Sequence, residues 1–338
     1  CPTQMRHNTS TCSLRWCARV SDDAWKPTPD QYELLLSVQS HEERQRIETL
    51  LKIDDSKRSL MGRIMLQSSA AMVLDKSPSE IQFGRTKGKK PYIKEKEAAK
   101  RGLNANVSHH GPWVALGMDE KGLVGVDVSA TTPQRPMKAD AFFLVMATAL
   151  TKNEWAAVRG AGTRDELLFH AFFVFWALKE AYTKAIGIGL ALPFRRLEFS
   201  VPESILCPCV KADHPLRFAG DTDIQVSLDG RRKPGWEFEV YALDEGHVLG
   251  VAVGPHDMAV ESYKAAMSAL VDEEPVGHKT AQHRTVTAEN TRQSPIETGN
   301  DKAAEQSTDA ISGAGSLVMV TPESILPERL AMQYQRCA

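Results

Sequence analysis

One stretch constrains this chain more than any other. Leu167 to Ile186 reads as a single, very apolar helix, stopped by Gly187 and Gly189. Leu178, Ala181, Tyr182 and Ala185 fall on one side of it and can face a core. Trp176, Glu180 and Lys184, spaced i, i+4, i+8, share the other side, with Lys179 and Thr183 on the flank. His170, Lys179 and Glu180 interrupt the apolar run, and nothing in the chain approaches the roughly 18–20 apolar residues of a membrane span. The helix therefore reads as the centre of a folded core that presents an acid and two lysines beside a Trp.

The other segments alternate helix and strand without a regular βαβ rhythm. Strands are expected within 11–20, 104–108, 113–118, 197–201, 224–228, 236–243 and 248–253. Leu123–Val128 is a nearly continuous β-branched run, the pattern of a buried strand. Helices are expected over 31–40, 41–52, 56–73 and 139–150, with another starting at Thr151. Ser77-Pro78-Ser79-Glu80 is a start signal for a turn or helix. The Pro-rich break at 131–136 sets a boundary between two halves. The class is α+β, with an N-terminal half over 1–130, a C-terminal half over 131–258 and a tail over 259–338. Val271 to Gly315 contains no Phe, Trp or Tyr. Such a segment cannot bury enough apolar area to offset its ordering entropy and is expected to be disordered. Everything after about Asp257 is expected to be dispensable, though Ser316–Ala338 recovers enough apolar residues to dock.

Composition narrows the function. The 338 residues carry 41 Lys+Arg against 43 Asp+Glu, a net charge of −2. That excludes a general nucleic-acid-coating surface but leaves room for a local basic pocket. The six cysteines are scattered, and the lone Cys207-Pro208-Cys209 has no second half-site for zinc. Free thiols in a reducing cytosol are expected. The chain opens on Cys1 rather than Met, as a fragment would, and no signal core is visible. A cytoplasmic location is expected, with no membrane and no nucleic acid as partner.

Four constellations could carry chemistry. The first is the Glu180–Lys184 face, whose plain reading is a solvated i, i+4 pair. Asp127, the second, ends a buried strand, where a carboxylate is costly unless paired, hydrogen-bonded or holding a cation. Its plain reading is a strand-end cap. With Glu180 it would make the pair of carboxylates that Mg²⁺ takes alongside phosphate oxygens and water. The third is the basic loop Arg85-Thr86-Lys87-Gly88-Lys89-Lys90-Pro91, suited to phosphate but equally to solubility, with Arg46 and Arg58 in reserve. It lacks the GxxxxGK[ST] spacing of a Walker loop. The fourth, Asn106-Val107-Ser108-His109, ends a strand. Ser108 and His109 point to opposite faces of an extended chain, and no Gly-x-Ser-x-Gly elbow is present. A nucleophile–base pair is therefore disfavoured there.

Taken in this order, Gly88–Pro91, Asn106-Val107-Ser108-His109, Gly125-Val126-Asp127 and Trp176-Ala177-Leu178-Lys179-Glu180-Ala181-Tyr182-Thr183-Lys184 resemble the 4′-phosphopantetheinyl transferases. The likeness is to the monomeric, two-halved, surfactin-synthetase-activating type, and within it to the animal aminoadipate-semialdehyde-dehydrogenase branch. It covers about residues 12–255. The resemblance implies two similar α+β halves related by a pseudo-twofold axis, with coenzyme A in the cleft between them. It implies transfer of the phosphopantetheine arm to a serine of an acyl or peptidyl carrier protein, releasing adenosine 3′,5′-bisphosphate. The carrier could belong to a fatty-acid synthase, polyketide synthase, peptide synthetase or aminoadipate reductase. By position, Asp127 and Glu180 would hold Mg²⁺, Lys184 and His109 would neutralise phosphate oxygens, and Arg46, Arg85 and Lys90 would hold the nucleotide with its 3′-phosphate. Pro91 and Ser108 would complete that wall.

Elementary chemistry agrees with the resemblance. Displacement at phosphorus needs positioning, charge neutralisation and an activated hydroxyl. Glu180, directly or through a metal-bound water, is the expected base, and two nearby lysines would keep it ionised. Many bacterial members carry an acid where this chain has Ser129, so a third carboxylate ligand is missing. A coenzyme A- or nucleotide-binding module without catalysis is the rival reading.

Overall fold

The computed structural model describes residues 12–21, 23–86, 88, 90–207, 216–217, 224–272 and 316–338. Its first half opens with strand Ser13–Arg19 (β1) and the helices Pro29–Ser37 (α1), His41–Glu48 (α2) and Ile53–Leu74 (α3). Thr28 and Gln31 form a capping box on α1, and Ser40 caps α2 through Glu43 N–H. Such caps are worth about 1 kcal/mol each against Ala. A short hairpin of Phe83–Arg85 (β2) and Pro91–Ile93 (β3) follows, with helix Lys96–Arg101 (α4). The two strands flank the basic stretch Arg85–Pro91. Strands Asn104–His110 (β4) and Trp113–Asp119 (β5) complete this half.

The second half begins before the expected boundary at 131, with Leu123–Ala130 (β6), because that strand pairs with β12 rather than with the first sheet's ladder. Helices Ala139–Val145 (α5), Lys152–Gly160 (α6) and Asp165–Ile186 (α7) come next. The remainder is Leu197–Ser200 (β7), Glu203–Leu206 (α8), Leu216–Arg217 (β8), Gln225–Leu228 (β9), Arg231–Arg232 (β10), Glu237–Asp244 (β11) and His247–Gly254 (β12). After it come Glu261–Asp272 (α9), Leu317–Met319 (β13), Pro322–Ile325 (α10) and Glu328–Arg336 (α11).

Two four-stranded sheets form, β13-β1-β5-β4 and β6-β12-β11-β8. In each half the opening strand pairs antiparallel with the closing one, β1 with β5 and β6 with β12. Each half also carries a 22-residue helix, α3 or α7. The architecture is α+β, with the same strand–helix–hairpin order in both halves.

The sheets meet along the edges of β4 and β6, and side chains make the join. Asn104 Oδ1 accepts from Val124 N–H at 2.8 Å, Asn106 Oδ1 from Val126 N–H at 2.9 Å, and Ser108 Oγ from Val128 N–H at 3.2 Å. The two-residue period of a strand puts all three on one face of β4. They satisfy the edge donors of β6, which would otherwise be buried without partners. Against the other side of this join lies α7. A Cβ at Gly125 would stand 2.0 Å from Ala181 O, and one at Gly250 would stand 2.9 Å from Ala177 O. Glycine at these two positions lets helix and sheet touch backbone to backbone. That contact fixes how Glu180 and Lys184 stand relative to Asp127.

Leu178, Ala181, Tyr182 and Ala185 are buried in the core around α7, as their spacing predicts. Lys179 departs from expectation. It is fully buried, with Nζ 2.8 Å from Glu154 Oε2 and donating to the carbonyls of Phe194 and Leu197. It ties α7 to α6 and β7 rather than joining Glu180 on the open face.

The C-terminal expectation needs correction in part. Residues 273–315, where disorder is expected, lie outside the described residues. On either side of them the chain is packed. Tyr263 of α9 is buried and accepts from Asn104 Nδ2 at 2.6 Å. Strand β13 pairs parallel with β1, while Val320, Ile325 and Tyr334 enter the core of the first half. Among the described residues, Cys12, Cys17, Cys207 and Cys337 are free thiols, and no helix is long and apolar enough to cross a membrane.

Candidate active site

The join between the sheets opens into a trough of two cavities. Arg46, Arg85, Lys90, Pro91, His109 and Lys184 line the first, of about 300 Å³. Ser108, His109, Asp127, Glu180 and Lys184 line the second, of about 520 Å³. The fold thus brings all nine residues singled out from the sequence into one place, with His109 and Lys184 on the shared rim. Ser108 departs from expectation, since it faces the second cavity and not the wall that Pro91 builds.

Asp127 is the centre of the second cavity. Its Oδ1 is 2.5 Å from Lys184 Nζ and accepts from Ser108 Oγ at 3.3 Å. Lys184 Nζ also donates to Ser108 Oγ at 3.0 Å. Asp127 Oδ2 accepts from Ser129 Oγ at 2.6 Å. Ser129 therefore orients the Asp127 carboxylate.

Glu180 stands one helical turn before Lys184. Its carboxylate makes no hydrogen bond or ion pair among the described residues. Burial raises its pKa and the negative charge of Asp127 raises it further, while Lys184 pulls the other way. The net direction is upward. With Lys179 turned into the core, only one lysine acts on Glu180, and ionisation is held less firmly than two lysines would hold it. Among the described residues no three His, Cys, Asp or Glu side chains gather as a ready-made metal cage.

A further apolar wall completes the second cavity, from Phe142, Met146, Phe173 and Trp176. Phe142 meets Phe172 and Phe173 in edge or tilted contacts, and Trp176 packs edge-on against Phe194. This wall is shaped for an apolar or thioether-like chain more than for a charge.

The first cavity is basic. Arg46 and Arg85 stand at its mouth, each with 43% of its side chain exposed. Both are tied to Glu43, as is Arg63 from α3. Arg58 lines the cavity, donates to Gly111 O at 2.7 Å and pairs with Asp55. His109 sits among these cations. Partial burial and the charges of Arg58, Lys184 and Arg46 push its imidazole below the usual value, against a smaller upward pull from Asp55. It is neutral near pH 7 and free to donate one hydrogen bond.

Lys90 occupies another place than expected. Its stem lines the cavity, but its ammonium is fully enclosed and donates to Val124 O at 3.0 Å and Lys184 O at 3.1 Å. The Tyr263 ring lies 5.7 Å away. Burial pushes its pKa down to about 7. Lys90 thus clamps β6 to the end of α7.

Arg63, Glu43 and the apolar wall escape a reading of motifs. Arg63 was legible as an arginine inside the apolar run Leu60-Met61-Gly62-Arg63-Ile64-Met65. A cation there must find a partner or a ligand.

Comparison with known proteins covers both halves. Residues 23–121 match the family described as 4′-phosphopantetheinyl transferase, N-terminal. Residues 123–251 match the 4′-phosphopantetheinyl transferase superfamily. The mouse L-aminoadipate-semialdehyde dehydrogenase-phosphopantetheinyl transferase is 31% identical over 248 residues, covering 72% of this chain and 75% of that protein. A Thraustochytrium phosphopantetheinyl transferase is 30% identical over 245 residues, covering 71% and 78%. The Bacillus subtilis 4′-phosphopantetheinyl transferase Sfp is 26% identical over 239 residues, covering 70% and 92%. The two family matches meet between Lys121 and Leu123, just where the first sheet hands over to the second, and the chain belongs to the 4′-phosphopantetheinyl transferases.

Proposed function

We propose that this chain transfers the 4′-phosphopantetheine arm of coenzyme A to a serine of an acyl or peptidyl carrier protein, releasing adenosine 3′,5′-bisphosphate. The observation that carries the mechanism is the unpaired Glu180 carboxylate, raised in pKa, beside the Lys184–Asp127 pair where the two cavities meet. The nucleotide lies in the basic cavity, with Arg46 and Arg85 on its phosphate. The pantetheine arm follows the apolar wall of Phe142, Phe173 and Trp176. The pyrophosphate then spans the shared rim, within reach of Lys184 and His109.

The groups divide the work between them. Lys184 and neutral His109 stabilise charge on the phosphate oxygens as the bond to the leaving bisphosphate lengthens. Glu180 accepts the proton of the attacking serine hydroxyl, and its raised pKa makes it a better base than a solvent-exposed Glu. The hydroxyl oxygen bonds to the pyrophosphate phosphorus on the pantetheine side, and the bisphosphate leaves.

The residues fit a hard divalent cation. Asp127 and Glu180 are close enough for one charge to raise the other's pKa, and Glu180 has no competing hydrogen bond. Two carboxylates are the donor set Mg²⁺ takes when phosphate oxygens and water supply the rest. Held there by Asp127 and Glu180, the ion would supply positive charge that makes the bisphosphate a better leaving group.

Leu144 and Val145 are exposed beside Phe142 and Met146, and we assign them as the apolar landing strip for the carrier. One chain supplies every residue named, so the proposed unit is a monomer. The test is intact-protein mass spectrometry of an apo carrier protein incubated with the chain, coenzyme A and Mg²⁺, with an EDTA control. The expected result is a gain of one phosphopantetheine, lost with EDTA. Coenzyme A binding without transfer to any of several carriers would favour a non-catalytic binding module.

A further inference from the structure

Three arginines from three separate elements converge on one carboxylate in the first cavity. Glu43 Oε2 is 2.9 Å from Arg46 Nε and 3.6 Å from Arg63 Nε, and Glu43 Oε1 is 3.0 Å from Arg85 Nη2. Glu43 and Arg63 are each nine-tenths withdrawn from water, at 10% side-chain exposure. We propose that Glu43 is a positioning residue that holds Arg46, Arg63 and Arg85 as one preformed socket for a phosphomonoester dianion, with Arg63 as its third cation. The inference rests on the function proposed above, in which the only phosphomonoester is the 3′-phosphate of coenzyme A.

Charge selects the ligand. Three guanidiniums against one carboxylate leave an excess of two positive charges. A phosphomonoester carries about two negative charges at neutral pH, whereas each phosphate of a pyrophosphate diester carries one. The socket is therefore neutralised by a terminal phosphate and not by the linking pyrophosphate.

Geometry selects the role of Glu43. It engages Arg46 and Arg63 through Nε, at the rear of each guanidinium, and leaves front donors for a ligand. Ser59 Oγ takes Arg46 Nη2 at 2.7 Å, fixing that plane. The Arg63 guanidinium lies 4.9 Å above the Phe83 ring, which fixes its plane as well. Arg63 Nε is buried without a hydrogen-bond partner. Desolvation lowers the Arg63 pKa against the pull of Glu43, so an anion arriving at the front donors adds negative charge beside a cation held by one carboxylate 3.6 Å away. Without Glu43, three like charges would spread apart, and the ordering would have to be supplied at binding.

The test is calorimetric titration of the full chain with coenzyme A and with 3′-dephospho-coenzyme A, for the unmodified protein, E43Q, E43D and R63Q. Thermal melts would establish that each variant is folded. The unmodified protein should prefer coenzyme A, by roughly tenfold or more if one to two charge-assisted contacts are lost with the 3′-phosphate. In E43Q and R63Q that preference should collapse toward one, through weaker coenzyme A binding, with E43D recovering part of it. Equal losses for both ligands, or an unchanged preference in R63Q, would overturn the proposal. R63Q decides the matter if E43Q does not fold. Failure of the unmodified protein to bind coenzyme A at all would instead overturn the function on which the inference rests.

Discussion

Lys184 Nζ and Asp127 Oδ1 stand 2.5 Å apart, although 57 residues separate them in sequence. The contact depends on the glycine-lined packing of α7 on β6 and puts one cation at the junction of both cavities. K184M should still fold but at a stability cost, because it leaves the Asp127 carboxylate, 9% exposed, with only the hydroxyls of Ser108 and Ser129 as partners. Transfer should fall by about a hundredfold or more, the scale for losing one group that stabilises transition-state charge. Steady-state kinetics beside a melting curve would check this. A variant with near-normal kcat and raised KM would assign Lys184 to binding alone.

Glu180 carries a pH signature. Its folded pKa is raised above the ordinary Glu value of roughly 4.3. The base must be ionised, so the acid limb of kcat/KM should have its midpoint above that value. Stability runs the opposite way. Between the unfolded and the raised folded pKa the native state binds more protons, so this group's contribution falls as pH rises through that window. E180Q should therefore be more stable than the unmodified protein at pH 7, with the difference shrinking toward pH 4, and should transfer no phosphopantetheine. Denaturant midpoints at the two pH values, with carrier mass as the activity readout, test both halves.

The sequence made the core strands and α7 legible because their signals are local. Val-rich runs, helical spacing and the Gly187 stop need no tertiary information, and 104–110, 113–119, 123–130 and 165–186 fall where periodicity puts them. The candidate pair Asp127 and Glu180 was legible through motif resemblance and the cost of a buried acid. What stayed hidden depends on direction. Lys179 and Lys90 both sit in motif-bearing stretches, and only packing turns their ammonium groups onto Glu154 and backbone carbonyls. The role of Asn104, Asn106 and Ser108 in closing a sheet edge requires knowing that β4 and β6 end up side by side. The segment after Gly315 is too short to show periodicity and gains its order from the edge of β1.

Lys90 should behave as a structural lysine. Its pKa, pushed down to about 7 by burial, means that between about 7 and the unfolded value near 10.4 the unfolded state binds more protons. Lys90's contribution to stability should grow as pH rises across that interval. K90M leaves the carbonyls of Val124 and Lys184 without their donor and should cost about 1–3 kcal/mol, with a smaller loss of coenzyme A affinity than K184M. Chemical denaturation from pH 7 to 9, against titration with coenzyme A, separates these effects. A large affinity loss with unchanged stability would return Lys90 to the phosphate site.

The C-terminal segment should be required for the first half to stay folded, contrary to the sequence-based expectation that everything beyond Asp257 is dispensable. Val320, Ile325 and Tyr334 are buried in the core around α3. Tyr334 Oη accepts from Trp25 Nε1 at 2.9 Å, Gln31 Nε2 donates to Tyr334 O at 3.1 Å, and Thr28 Oγ1 donates to Cys337 O at 2.7 Å. Burying three such side chains contributes about 1.5–3 kcal/mol apiece before ordering entropy is subtracted. Deleting 316–338 also uncovers the edge of β1, a template for aggregation. The truncated chain should melt at a clearly lower temperature and lose solubility, while Y334F, which removes one hydrogen bond, should cost only about 1 kcal/mol. Adding the 316–338 peptide in trans should recover part of the lost melting temperature. A truncation that melts with the full chain would show that the β1 edge and the α3 core are stable without this cover.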